Sequence, residues 1–213
     1  MQYIKGLDAF DGRNHTAVTL GKFDGLHRGH QKLLNRIMKY AQKEDCDSVV
    51  CAFDMDRDCL MTNEERRAFL EDKVDYLIEI PFTREMMEME AEKFIDEILH
   101  KKLHASHIVV GTDFNFGHEK RGNHQMLEKY AAKYGYTVDV VEKAYYKDRE
   151  ISSTYIRELL LDGNVPLANE LLGYPYEITS VVEHGQQLGR TLGFPTMNIA
   201  WPKRKIIPPR GVY

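Results

Sequence analysis

Two histidines three residues apart, His27 and His30, stand in the segment Gly21-Lys22-Phe23-Asp24-Gly25-Leu26-His27-Arg28-Gly29-His30. A strand-like run over 16–23 (TAVTLGKF) precedes them, and a helical pattern over 27–44 starts with them. Residues three apart share one face of a helix, so both imidazoles project from the same side of the first turn. Gly29 between them leaves room for a ligand to approach the backbone. The helix start adds free N–H groups and the positive end of the helix dipole. Such a constellation suits a phosphate under attack, because preorganised donors stabilise the charge that grows on its oxygens. Two histidines at this spacing also fit ordinary polar residues at a helix start. The ordered set Gly21, Phe23, Asp24, His27, Gly29 and His30 is what points to phosphate chemistry. The rival patterns G-x-x-x-x-G-K-[ST] and G-x-G-x-x-G are absent.

A second cluster is Ile151-Ser152-Ser153-Thr154-Tyr155-Ile156-Arg157. Hydroxyls at a helix start with an arginine on the first turn again suit phosphate. The plainer reading is an N-cap, with Glu158 as a capping-box partner. A third segment, Val110-Gly111-Thr112-Asp113-Phe114-Asn115-Phe116-Gly117, ends a strand. Its aromatics and glycines suit a flat ring, and core packing of Phe114 and Phe116 is the alternative.

Strands and helices alternate around these segments. Strands are expected over 16–23, 48–53, 74–82, 107–114 and 136–144. Helices are expected over 27–44, 63–73 (with Asn63 as N-cap), 83–103 and 123–134. A β-α-β-α order implies an α/β fold, a Rossmann-like parallel sheet with helices on both faces. Such sheets bind ligands beyond the carboxyl ends of their strands, where all three segments fall. Two short helices follow, over 154–161 and 165–172. A domain boundary is placed near Gly173, giving domains 1–173 and 174–213. The last stretch reads as strand and turn, an incomplete antiparallel β-barrel segment.

The composition is that of an ordinary globular chain, 43% hydrophobic and 29% charged. A net charge of −4 argues against a nucleic-acid partner. No apolar run reaches a membrane span, and no signal segment opens the chain, so a cytoplasmic location is expected. Cys46, Cys51 and Cys59 fit no zinc pattern and read as free thiols.

The first segment resembles the HxGH signature of adenylyl and cytidylyl transferases. Taken with GTDFNFG, ISSTYIRELL, GNVPLANELLG and GRTLGFPTMNI, nearly the whole chain resembles the bacterial bifunctional riboflavin kinase/FAD synthetase family. The resemblance implies an FMN adenylyltransferase that uses ATP with Mg²⁺ and makes FAD and pyrophosphate, followed by a riboflavin kinase barrel. It implies that His27 and His30 hold the α-phosphate, and that Gly21, Phe23, Asp24 and Gly29 shape the ATP site. Ser152, Ser153, Thr154 and Arg157 would embrace the outer phosphates. Asp113, Phe114 and Phe116 would lie near FMN. In the kinase part, Thr196 and Asn198 would help bind the metal with its nucleotide. Other transferases of the HxGH kind, and a non-catalytic flavin or nucleotide binder, are the alternatives.

Two departures from the family stand out. Its Pro-His-Pro element is replaced by Phe53-Asp54-Met55-Asp56-Arg57-Asp58, which puts flavin affinity in question. The kinase part stops at Pro209-Arg210-Gly211-Val212-Tyr213, so no riboflavin kinase activity is expected. Apolar residues Ile178, Val181, Val182, Ile199, Trp201, Ile206 and Ile207 are expected to lack partners in the tail, which invites self-association. Deleting the chain after about Gly173 is expected to spare the transferase, and protease to cut first within 185–193.

Overall fold

The computed structural model describes residues 1–54, 58–186 and 188–212. Residues 55–57 of the acidic loop singled out above lie outside them. The strands in chain order begin with β1 (Gln2–Lys5), β2 (Thr16–Gly21), β3 (Asp47–Asp54), β4 (Tyr76–Pro81) and β5 (Ala105–Gly111). A two-residue hairpin follows, β6 (Asn115–Phe116) with β7 (Gly122–Asn123), and then β8 (Thr137–Val141). Six strands form one sheet in the order β1-β4-β3-β2-β5-β8. Every pairing in it is parallel. Both faces are covered, which is why β2 reads as a nearly continuous buried run.

Helix α1 (Arg28–Lys43) and α2 (Asn63–Leu70) pack on one face, where Leu34, Ile37 and Leu70 meet Ala17, Val50, Leu77 and Val109. The other face carries α3 (Arg84–Glu88), α4 (Ala91–Lys93), a wider π-type turn over Phe94–Lys102, and α5 (His124–Tyr134). There Phe94, Ile95, Leu99 and Leu127 cover Val18, Leu20, Ile108 and Val110. A third cluster joins α6 (Ser153–Leu161) and α7 (Val165–Leu172) to Leu60. α6 follows a second short hairpin, β9 (Tyr145–Tyr146) with β10 (Arg149–Glu150).

The parallel α/β sheet with helices on both faces is as expected, with four differences of detail. Strand β1 is an addition: four residues long with one buried side chain, it offers almost no pattern to read. The long helix over 83–103 is broken at Met89 and Glu90, which are extended. The Met89 carbonyl leaves the helical ladder and accepts from His118 N–H at 2.7 Å. Thr62, not Asn63, caps α2, in a reciprocal capping box with Glu65. Glu158 is not a capping partner of Ser152: it lies beyond the third helical residue and pairs with Arg149.

In the tail, β11 (Val182–Glu183) pairs antiparallel with β12 (Asn198–Ile199). Val181, Val182, Ile199 and Ile207 are exposed, but Ile206 is buried in the α6–α7 cluster. Cys59 and Lys205 form a parallel bridge, and Lys205 pairs with Glu65, both side chains 2% exposed. The Tyr176 hydroxyl donates to the Ile206 carbonyl at 2.7 Å. Part of the tail therefore packs against the first unit.

Candidate active site

Strand order reverses at β2: its helix leads to β3 on one side, while β5 lies on the other. Open α/β sheets bind ligands in the crevice at such a switch point. A cavity of about 740 Å³ opens there, beyond Gly21 of β2 and Gly111 of β5.

The turn from β2 into α1 is held in an unusual backbone shape. Phe23, Gly25 and Leu26 all have positive φ, at 46°, 80° and 37°. Phe23 and Leu26 pay for that conformation by being wholly buried. Strain of this kind persists only where the surroundings over-determine it. Asp24 supplies much of that constraint. Its Oδ1 accepts from Leu60 N–H at 2.7 Å and its Oδ2 from Arg157 Nη2 at 2.9 Å. Its carbonyl accepts from Ser153 Oγ at 2.8 Å. The Gln31 side-chain amide donates to the Leu26 and Leu172 carbonyls, and the Tyr174 hydroxyl donates to the Gly25 carbonyl.

His27 is the N-cap of α1 with no side-chain cap bond, and His30 follows on the first turn. Their rings stack, centroids 3.8 Å apart and planes 22° apart, and Phe23 packs beside His30. Burial pushes the His27 pKa down to about 4. Burial, then the charges of His27 and Arg66, push His30 well below the usual histidine range. Both rings are therefore neutral at pH 7, and each keeps a buried Nδ1 without a hydrogen-bond partner. Gly29 makes room for the His27 ring: a β-carbon there would stand 3.1 Å from its Nδ1 and Cε1.

Gly21, Phe23, His27, Gly29, His30, Asp113, Phe114, Phe116, Ser152, Ser153 and Thr154 all line the one cavity. Ser152 caps α6 through Tyr155 N–H, and Thr154 is exposed. The Phe114 and Phe116 rings stack with centroids 5.6 Å apart, and Phe116 also leans on Phe94. Asp24 and Arg157 are not among the residues that line this cavity; they pair with each other at 2.9 Å, and Asp24 lines a second, smaller cavity. Thr196 and Asn198 are exposed in the tail and lie outside the lining.

Several lining residues escaped the sequence reading: Phe82, Met86, Phe94, Lys143 and Glu150. Phe82 follows the carboxyl end of β4, and its ring meets that of Phe53, near the carboxyl end of β3, edge-on with centroids 5.7 Å apart. Its place just past a strand end was the signal available. Lys143 and Glu150 come together only through the fold.

The chemistry on offer has two ends. Neutral N–H donors and a helix start suit phosphate oxygens. Phe53, Phe82, Phe114 and Phe116 suit a flat aromatic ligand.

Comparison with known proteins finds two family models along the chain. The FAD synthetase family model matches residues 10–155, and the riboflavin kinase model matches residues 172–213. The bifunctional riboflavin kinase/FMN adenylyltransferase of Haemophilus influenzae is 37% identical, over the whole of this chain and 73% of its own length. That of Buchnera aphidicola from Schizaphis graminum is 36% identical over the whole chain and 72% of its length. The Escherichia coli K12 enzyme is 35% identical over 92% of this chain and 66% of its own. The chain thus spans about two thirds to three quarters of these relatives. A crystal structure from Streptococcus pneumoniae, described as a macrolide-efflux protein, superposes with a TM-score of 0.85 at 31% identity, covering 97% of this chain and 71% of that one. Among the described residues here, no helix is long and apolar enough to cross a membrane.

Proposed function

This chain belongs to the FAD synthetase family of FMN adenylyltransferases, and we propose that it transfers AMP from ATP to FMN, releasing pyrophosphate. The observation that carries the reading is the neutral, stacked His27–His30 pair opening on the same cavity as the aromatic loop Asp113–Phe116. One cavity then holds a phosphate next to a flat ring, which is what joining a nucleotide to a flavin requires.

In this reading the FMN phosphate attacks the α-phosphorus of ATP in line. A new P–O–P bond forms, and the bond to pyrophosphate breaks. A phosphomonoester has its second pKa near ~6, so the nucleophile is already ionised at neutral pH and needs no general base. His27 and His30, as neutral rings, donate N–H bonds to the α-phosphate oxygens without adding charge to the ground state. Ser152, Ser153, Thr154 and the start of α6 support the outer phosphates. Arg157 acts through Asp24, which it holds in place under the turn. Mg²⁺ would arrive as MgATP, bound chiefly by phosphate oxygens as this ion prefers. Among the described residues no group of three or more His, Cys, Asp or Glu forms a protein cage for it.

A coupled pyrophosphate assay tests the substrate assignment. Release with ATP and FMN is expected. Release with phosphopantetheine and none with FMN would assign the site to a different acceptor.

A further inference from the structure

ATP and FMN bring several negative charges into one cavity, yet its walls supply few cations. Among the described lining residues these are Lys22, Lys120 and Lys143. Lys22 and Lys120 are exposed, whereas the Lys143 side chain is 26% exposed. The two histidines are neutral, and Arg157 is spent on Asp24 outside the lining.

Lys143 stands where two walls of the cavity meet. Its Nζ lies 3.1 Å from Asp113 Oδ2, on the loop after β5, and 2.8 Å from Glu150 Oε2, on the hairpin leading into α6. Its own backbone is pinned, because Lys32 Nζ donates to the carbonyls of Glu142 and Lys143. The hairpin is fixed against it by Ile151 N–H donating to the Ala144 carbonyl at 2.8 Å. An ammonium has three N–H donors, so two carboxylates leave one for a ligand.

We propose that Lys143 binds a substrate phosphate at the junction of the nucleotide and flavin ends of the cavity, exchanging a carboxylate partner for a phosphate oxygen. This rests on the adenylyltransferase reading above. The neighbouring carboxylates matter as much as the cation. With Asp113 and Glu150 both against Lys143, two carboxylates face one ammonium at this junction. Glu150 therefore competes with phosphate for the ammonium. A cation that merely braced the two walls would need Glu150; a phosphate-binding cation works better without it.

The test is steady-state kinetics of FAD formation, with fluorescence titration of FMN and riboflavin. Lys143→Met is expected to raise KM for ATP or Kd for FMN by about 10- to 100-fold, the weight of one charge-assisted contact. Riboflavin, which lacks the phosphate, should bind the variant as it binds the parent. Lys143→Arg should recover most of the loss. Glu150→Gln should lower the same constant that Lys143→Met raises. Equal weakening of riboflavin and FMN, or weaker substrate binding in Glu150→Gln, would make Lys143 a brace and overturn the proposal. If the parent makes no FAD at all, the adenylyltransferase reading fails instead. Calorimetry with ATP alone and with FMN alone then still tests Lys143, an unchanged Kd for both ligands in Lys143→Met counting against it.

Discussion

In the proposed mechanism His27 and His30 work by being neutral and fixed, and burial is what keeps them neutral. His30→Ala removes a donor that acts on charge developing in the transition state, so turnover should fall about a hundredfold while ATP affinity changes far less. Unchanged kcat in a folded variant would make the pair structural. The low pKa values also link to stability. The unfolded chain protonates these histidines near 6.5, whereas folded His27 resists to about 4. Between those values the unfolded state binds more protons, so stability is full above 6.5 and drains away as pH falls toward 4. His27 alone should cost about 2 kcal/mol between pH 7.5 and pH 5, with His30 adding in the same direction. Urea unfolding at the two pH values, compared between parent and His27→Gln, measures it. An identical pH dependence in the two proteins would show that His27 is not desolvated. These residues were legible in the sequence because their spacing and flanking glycines sit in one short segment. The purpose of Gly29 was not: it gives space to the His27 ring, a fact that depends on a side-chain rotamer.

At the scale of elements, the site depends on a strained turn clamped from several sides. Gly25 has φ of 80°, and a β-carbon on it would meet Leu60 Cδ1 at 2.9 Å. Gly25→Ala should therefore destabilise by about 1–3 kcal/mol through backbone strain and displaced packing. A thermal melt indistinguishable from the parent would show that the turn is free to relax. The clamps themselves join residues far apart in sequence, Asp24 with Leu60 and Arg157, and Tyr174 with Gly25. No local pattern announces such contacts. The same limit applies to β1, which exists because β4 offers an edge, and to the break at Met89, which follows from a bond to His118. The five longer strands were readable because β-branched runs and turn residues mark them directly.

Across the whole molecule, contacts cross the boundary drawn near Gly173. Tyr174 reaches the turn between β2 and α1, and Lys205 meets Glu65 in a pair closed off from water. Removing one partner of a buried ion pair leaves an uncompensated charge, which costs about 3–5 kcal/mol. Lys205→Met should accordingly lower the unfolding free energy by a few kcal/mol, read by denaturant titration. A chain cut after Gly173 should melt earlier than the parent, although the sequence pattern led to the expectation that the cut would spare the transferase. Equal melting temperatures would mean that the tail adds nothing to the first unit. The apolar residues of the tail gave the strand pattern away, but not which surface Ile206 would choose.

All three scales meet in one claim, that the cavity at the β2–β5 switch point moves AMP onto FMN. The direct measurement supplies ATP labelled on its α-phosphorus together with FMN and follows the label. Label appearing in FAD, in step with pyrophosphate release and dependent on FMN, is the expected result. ATP consumption without label in FAD, or flavin binding without pyrophosphate release, would contradict it.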